Sequence, residues 1–231
     1  FVTHGTTVSE VALMVHDAKA THARALALLA QDHNQPGQPD ELNIPAIRGV
    51  GGSILRLLDA GDDLSRIWSV DFRSDAAPLA GAGLTGIDHI GQTMAYDEML
   101  SWALFYSSIF DAQKAPMVDV ADPDGLVRSQ AVQSGGLRIT LNGAEARRTL
   151  AGRFVEETFG ASVQHVAFAS SDIFATAAKL AERGFPLLQI GENYYDDVEA
   201  RFGLDPTLVA RLRAAKVLYD EDAGGQFFQL Y

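Results

Sequence analysis

An α+β fold is expected, built from three copies of one strand–helix–strands unit that pair into open barrels. Three observations predict it. Val8-Ser-Glu-Val-Ala12 aligns with Val163-Gln-His-Val-Ala167, and the match continues through Asp17/Asp172, Ala20/Ala175 and Thr21/Thr176. Gly51-Gly-Ser-Ile-Leu-Arg-Leu-Leu58 aligns with Gly224-Gly-Gln-Phe-Phe-Gln-Leu-Tyr231, in each case a Gly-Gly turn followed by a strand. A weaker copy begins at Gly86-Ile-Asp-His-Ile90 and runs into Glu98–Tyr106.

The elements follow in chain order. Val8–Ala12 reads as a first strand, and the Gly-Gly strand after Gly51 is followed by another at Ile67-Trp-Ser-Val-Asp-Phe72. Pro36–Asn43 and Arg73–Gly83 read as loops, the second a linker that divides the chain near residue 80. Asp97–Phe110 carries Met99, Trp102, Phe105, Tyr106 and Ile109 mostly on one helical face. Leu126–Val132 and Leu137–Asn142 form a hairpin around Ser134-Gly-Gly136. Asp172 caps a helix over Ile173–Arg183 that Gly184 stops. Tyr194-Tyr-Asp-Asp197 reads as a solvated turn, with cation binding as the alternative, and Val217–Tyr219 pairs with Gln226–Tyr231.

Such units work in pairs, because half a curled sheet has a bare edge and an open core. The second and third copies make a pair, and the first has no partner in these residues. The chain opens at Phe1 without a signal-peptide pattern and stops in an apolar strand-like run, so a fragment is expected. Residues 1–75 are then the second half of a non-catalytic domain, and residues 84–231 a metal-site domain lacking its last strand.

Composition narrows the chemistry. The 231 residues carry a formal charge of -12, which argues against a polyanion-binding surface and hence against nucleic acid. No run of about 18 uncharged apolar residues suggests a membrane span. With no Cys, thiolate metal sites, disulfides and a Cys nucleophile are excluded. Gly49-Val-Gly-Gly52 lacks the Lys-Ser/Thr of a phosphate loop, and no Ser-centred nucleophile elbow is present.

His89 and His165 occupy equivalent places, the middle of the first strand in their copies. Paired repeats put both on the inner face of one barrel, where two imidazoles begin a divalent-metal site. The competing reading is two half-buried strand histidines with backbone partners. Glu10 holds the matching place in the first copy, which is read as structural or degenerate. His4, His16, His22 and His33 have no matched partners. Ser129, Asn142, Gln164 and Gln229 are polar residues in apolar strands, either lining the cup or facing outward by alternation.

The string Ile87-Asp-His89, the hairpin with Ser129 and Asn142, Val163-Gln-His165, Asn193–Asp196 and Gln226–Tyr231 resembles the vicinal oxygen chelate superfamily, and within it the 4-hydroxyphenylpyruvate dioxygenases. Ile44–Ser53 and Asn193–Leu204 resemble the dioxygenase-like half of bacterial 3-dehydroshikimate dehydratase fusions. The resemblance implies paired βαβββ modules and metal ligation by His89 and His165. It places a third ligand, a Glu, on a strand beyond Tyr231, and a substrate pocket lined by Ser129, Asn142, Gln164 and Gln229. Fe(II) is the implied metal, with another divalent ion as the alternative. The implied reaction is oxidative decarboxylation of an aromatic 2-oxo acid with dioxygen. An accessory module of a dehydratase, meeting a dehydroshikimate-like acid, is the other reading. A cytoplasmic homo-oligomer is expected. Thr140 and Gly143 stand where the family has Pro and Glu, and Tyr231 where it has Phe; these departures bear on the substrate more than on the metal.

Overall fold

The computed structural model describes residues 1–33, 42–59, 62–70, 72, 80–122 and 124–231. The loops expected over Pro36–Asn43 and Arg73–Gly83 lie largely outside the described residues. Contacts divide the chain into two compact units, Phe1–Ala76 with Ile87–Ala167, and Ala77–Gly86 with Phe168–Tyr231.

The first unit opens with β1 (Glu10–Val15), α1 (Ala18–Ala27), β2 (Ala46–Arg48) and β3 (Ile54–Asp59). Helix α1 starts where it does because two carboxylates meet its unpaired N–H groups. Asp17 Oδ1 accepts from Ala20 N at 2.8 Å and Asp59 Oδ1 from Ala18 N at 2.6 Å. Strand β3 is the centre of a three-stranded sheet, parallel to β1 and antiparallel to β2.

Next comes α2 (Asp62–Val70), which corrects the strand expected over Ile67–Phe72. Aromatic and β-branched residues suggested a strand, but Ile67–Val70 continue the helix. The rings of Trp68 and Phe72 lie 4.9 Å apart, tilted by 38°, and remain exposed.

The main sheet contains β4 (Leu84–Ala95), β5 (Gln113–Lys114), β6 (Val118–Asp122), β7 (Gly125–Ser134), β8 (Leu137–Ala144) and β9 (Ser162–Ser170). Its order is β5-β7-β8-β4-β9, with β6 also on β7, so this sheet is open rather than closed on itself. The expected hairpin is present, with Ser134 in register with Leu137 and Ser129 with Asn142. Strand β4 runs parallel to β8, as β1 does to β3, so the first and second copies share one topology.

Helix α3 (Tyr96–Phe110) covers one face of this sheet, and α4 (Leu150–Glu157) precedes β9. Met99, Ala103, Tyr106 and Ile109 recur at three- and four-residue spacing and bury against Met94, Val132, Ile139 and Leu141. Ala25, Ile47, Val50 and Leu55 join the same core. Within it, the Tyr106 hydroxyl donates to Gln92 Oε1 at 3.0 Å. Burial pushes the Tyr106 phenol far up, so it stays a neutral donor.

The second unit holds α5 (Ile173–Glu182), α6 (Glu192–Phe202), α7 (Pro206–Ala215), β10 (Leu218–Asp222) and β11 (Gly225–Gln229). Asp172 caps α5 as expected, its Oδ1 accepting from Phe174 N and Ala175 N. The turn expected at Tyr194–Asp197 is instead part of α6, which runs on to Gly203, the residue whose φ of +63° ends it. Tyr194 is tied down because its hydroxyl accepts from Tyr219 N at 2.8 Å and donates to Tyr219 O at 3.0 Å. Strands β10 and β11 form an antiparallel pair.

Removing the buried phenol tests the core. Tyr106→Phe leaves the Gln92 amide without its partner and is expected to cost about 1–3 kcal/mol. Urea unfolding checks it, read as a lower midpoint at an unchanged slope.

Candidate functional site

Strand β4 lies between β8 and β9. Alternation sends its residues to two faces. Ile90, Gln92 and Met94 lie on the α3 side. His89, Gly91 and Thr93 therefore share the other face. Register adds Thr140 opposite Gly91 and Asn142 opposite Thr93 on β8, then Ala131 and Ser129 on β7.

The first strands of the two copies, β4 and β9, are neighbours, and this brings the equivalent histidines together. His89 Nε2 and His165 Nε2 stand 3.3 Å apart, with the rings perpendicular and their centroids 5.4 Å apart. Each ring has an acceptor at its other nitrogen. His89 Nδ1 donates to Asp88 Oδ2 at 2.7 Å, an oxygen that also accepts from Arg138 Nη1 at 3.4 Å. His165 Nδ1 donates to Gln164 Oε1 at 3.2 Å. A carboxylate and an amide oxygen can only accept, so the protons sit on Nδ1 and the two Nε2 lone pairs converge.

Two converging lone pairs suit a cation between them. A proton there would make one ring an imidazolium, but burial, then the neighbouring His89, holds the His165 value below the ordinary 6.5. A divalent ion fits better. Nitrogens each about 2.1 Å from one ion, at an angle of about 104°, are separated by about this distance. Among the described residues no group of three His, Asp or Glu could hold an ion, and the pair would supply two donors.

Gly91 makes this arrangement possible. A Cβ built on it would lie 2.1 Å from His165 Cε1 and 2.4 Å from Nε2. The imidazole rests directly on the backbone of β4, and any side chain at residue 91 would displace it. Gly91 and Asp88 were not singled out from sequence alone. A glycine inside an apolar strand is the signal that could have marked the first, since it often shows close approach of another group.

A family model described as Hydroxyphenylpyruvate dioxygenase, HPPD, N-terminal matches residues 1–73. The model of the Glyoxalase/Bleomycin resistance protein/Dioxygenase superfamily matches residues 86–210, more than half of the chain. The chain belongs to this superfamily. Among relatives of this superfamily member, the 3-dehydroshikimate dehydratase of Pseudomonas aeruginosa is 39% identical over all of the chain, which spans 37% of that protein. A 4-hydroxyphenylpyruvate dioxygenase of Pseudomonas sp. is 33% identical over 94% of the chain, which covers 63% of its length. A solved structure described as a xylose isomerase-like TIM barrel/4-hydroxyphenylpyruvate dioxygenase fusion protein matches all of the chain and 36% of its own, with a TM-score of 0.80 and 37% identity.

The remaining sequence-predicted residues of this superfamily member fall as follows. Ser129 and Asn142 are half-buried, in register with each other on the histidine face. Gln164 is exposed and bonds His165. Gln229 is an exposed residue of β11, in register with Leu218. Glu10 is engaged by Arg56, whose Nε donates to its Oε2 at 2.6 Å, so the first copy carries an ion pair at this position. His4 Nδ1 lies 2.7 Å from Thr158 O, and His22 Nε2 lies 2.9 Å from Asp32 Oδ1. A cavity of about 990 Å³, lined by Glu10, Ile90, Ile109, Arg138 and Val166, reaches Asp88, but Ile90 and Val166 place it on the opposite face from the histidine pair. Among the described residues no helix is long and apolar enough to cross a membrane.

Gly91→Ala is the sharpest test of this geometry. Divalent-metal affinity is expected to drop by about 100-fold or more, and Asp88→Asn to lower it about 10–100-fold. Both proteins should keep the wild-type far-UV dichroism. Equal affinity in Gly91→Ala would mean that His165 does not ligate from this position.

Proposed function

We propose that the histidine face is the metal-binding site of a dioxygenase acting on an aromatic 2-oxo acid, with His89 and His165 as two ligands of Fe(II). The observation that carries this is the convergence of the two Nε2 atoms at 3.3 Å with both Nδ1 positions already engaged. The similarity to a 4-hydroxyphenylpyruvate dioxygenase supports it. Bound Fe(II) supplies the electrons through which dioxygen reacts. The chain's own residues do the positioning. Asp88 and Gln164 hold the Nδ1 protons, Gly91 admits the His165 ring, and Ser129 and Asn142 line the substrate pocket on the same face. In this proposal residues 1–75 belong to a non-catalytic domain and residues 84–231 to the metal-site domain.

A second reading has an observation of its own. The 3-dehydroshikimate dehydratase relative and the fusion-protein structure both match the chain from end to end, with about a third of their own length. In that reading the chain is the dioxygenase-like module of a dehydratase, and the ion it holds does not turn over a 2-oxo acid.

Oxygen uptake separates the two. The protein extended at both ends of these residues, loaded with Fe(II) without oxygen and then mixed with 4-hydroxyphenylpyruvate and air, is expected to consume oxygen, and His89→Ala to abolish the uptake. Bound metal with no uptake would favour the dehydratase-associated module.

A further inference from the structure

Each histidine of the pair is held at Nδ1 by the residue just before it, Asp88 for His89 and Gln164 for His165. The two arms are not held equally. The bond to the carboxylate is 2.7 Å long and the bond to the amide 3.2 Å. Among the described residues the Gln164 side chain has no further hydrogen bond, whereas Asp88 Oδ2 also accepts from Arg138 Nη1 at 3.4 Å. One arm is braced by a third residue and the other is not.

The strand explains why a brace matters. Alternation along β4 puts Asp88 with Ile90 and Gln92, on the face opposite His89. Its carboxylate reaches the imidazole only by turning round the strand. The register of β4 with β8 runs from Ile90 to Ala95, so Asp88 lies beyond the end of that ladder. Its side chain is 41% exposed and has water as a competing partner. Arg138 comes from the other side. It precedes Ile139, a core residue, and alternates with Thr140 and Asn142, so its side chain leaves β8 on the histidine face. From there the guanidinium draws Oδ2 across the strand end toward Nδ1. One bond at 3.4 Å between half-exposed groups adds little to stability, but it has only to favour one rotamer of Asp88 over the others.

We propose that Arg138 is a positioning residue for the metal site. It fixes the Asp88 carboxylate on His89 Nδ1, which keeps the proton there and leaves Nε2 as the lone pair that faces His165. The inference rests on the histidine pair being a metal site, and it makes His89 the preorganised ligand of the two.

The test separates positioning from charge. A cation beside a divalent ion repels it, so loss of the Arg138 charge, acting alone, strengthens metal binding. Loss of positioning weakens it. The protein extended at both ends of these residues is titrated with Zn(II) against a competing chelator at about pH 8, above the ordinary histidine range. Arg138→Met, which keeps the stem and removes the guanidinium, is expected to bind Zn(II) about three- to tenfold more weakly, less than the loss of a direct partner costs. Arg138→Lys is expected to restore most of the affinity. In an Asp88→Asn background Arg138→Met is expected to cause no weakening. The second readout needs no metal. Nitrogen NMR of metal-free protein with labelled histidines, assigned with His89→Ala and His165→Ala, is expected to show His89 protonated at Nδ1 in the wild type and a mixture of tautomers in Arg138→Met, with His165 the same in both. Equal or tighter Zn(II) binding by Arg138→Met would overturn the proposal, and so would a weakening that persists in the Asp88→Asn background or an unchanged His89 tautomer. A wild type that takes up no Zn(II) defeats the metal reading instead, and the tautomers of metal-free protein then decide Arg138 alone.

Discussion

The imidazole of His165 occupies the volume that a side chain at residue 91 would fill, and the candidate site depends on that substitution of ring for Cβ. A glycine inside a strand weakens it, because it has more freedom to lose and nothing to pack. Strand β4 tolerates the loss because it has a neighbour on either side, β8 and β9. The six in-register partners from Ile90 to Ala95 hold it against β8, and Met94 and Ile90 bury on the far side. A glycine at the sheet edge would have no such support. The close approach of the two histidines is thus a property of an interior strand that gives up one side chain.

Much of this was legible in the sequence because it is repeated. His89 and His165 stand at equivalent places in two copies, and pairing those copies makes their first strands neighbours. Helices α3 and α5 were legible from apolar spacing and from the Asp172 cap, and the β7–β8 hairpin from its Ser-Gly-Gly turn. What failed was local. Ile67–Phe72 has strand-like composition, yet its first residues complete a helix begun at Asp62, and Tyr194–Asp197 looks like a turn unless Gly203 is seen to end the helix that contains it. Thr93 was silent for a different reason. It is unexceptional in its own strand, and its meaning comes from what the next strand places beside it.

The equivalent position in the first copy shows how little separates a site from a scaffold. Glu10 sits where His165 does in the repeat, on a strand with the same parallel neighbour relation that β4 has with β8. There the carboxylate meets Arg56 across β1 and β3, in register with Ala12, and both charges are partly exposed. An ion pair of this kind is satisfied within the protein and asks for nothing further. The histidine pair is not satisfied in that way, since its two converging atoms are both acceptors.

The two faces of β4 make the same contrast within one strand. Gln92 is buried at 1% exposure, and Tyr106 reaches across from α3 to bond it, so the polar group on the helix side is complete. Thr93, the next residue, is equally buried and bonds nothing. Core packing alone would treat the two alike, because an unpaired buried hydroxyl is costly wherever it lies. The difference follows the face. On the α3 side Tyr106 supplies the partner. On the histidine side two Nε2 atoms face each other at 3.3 Å, and the hydroxyls of Thr93 and Thr140 are left without a partner among the described residues.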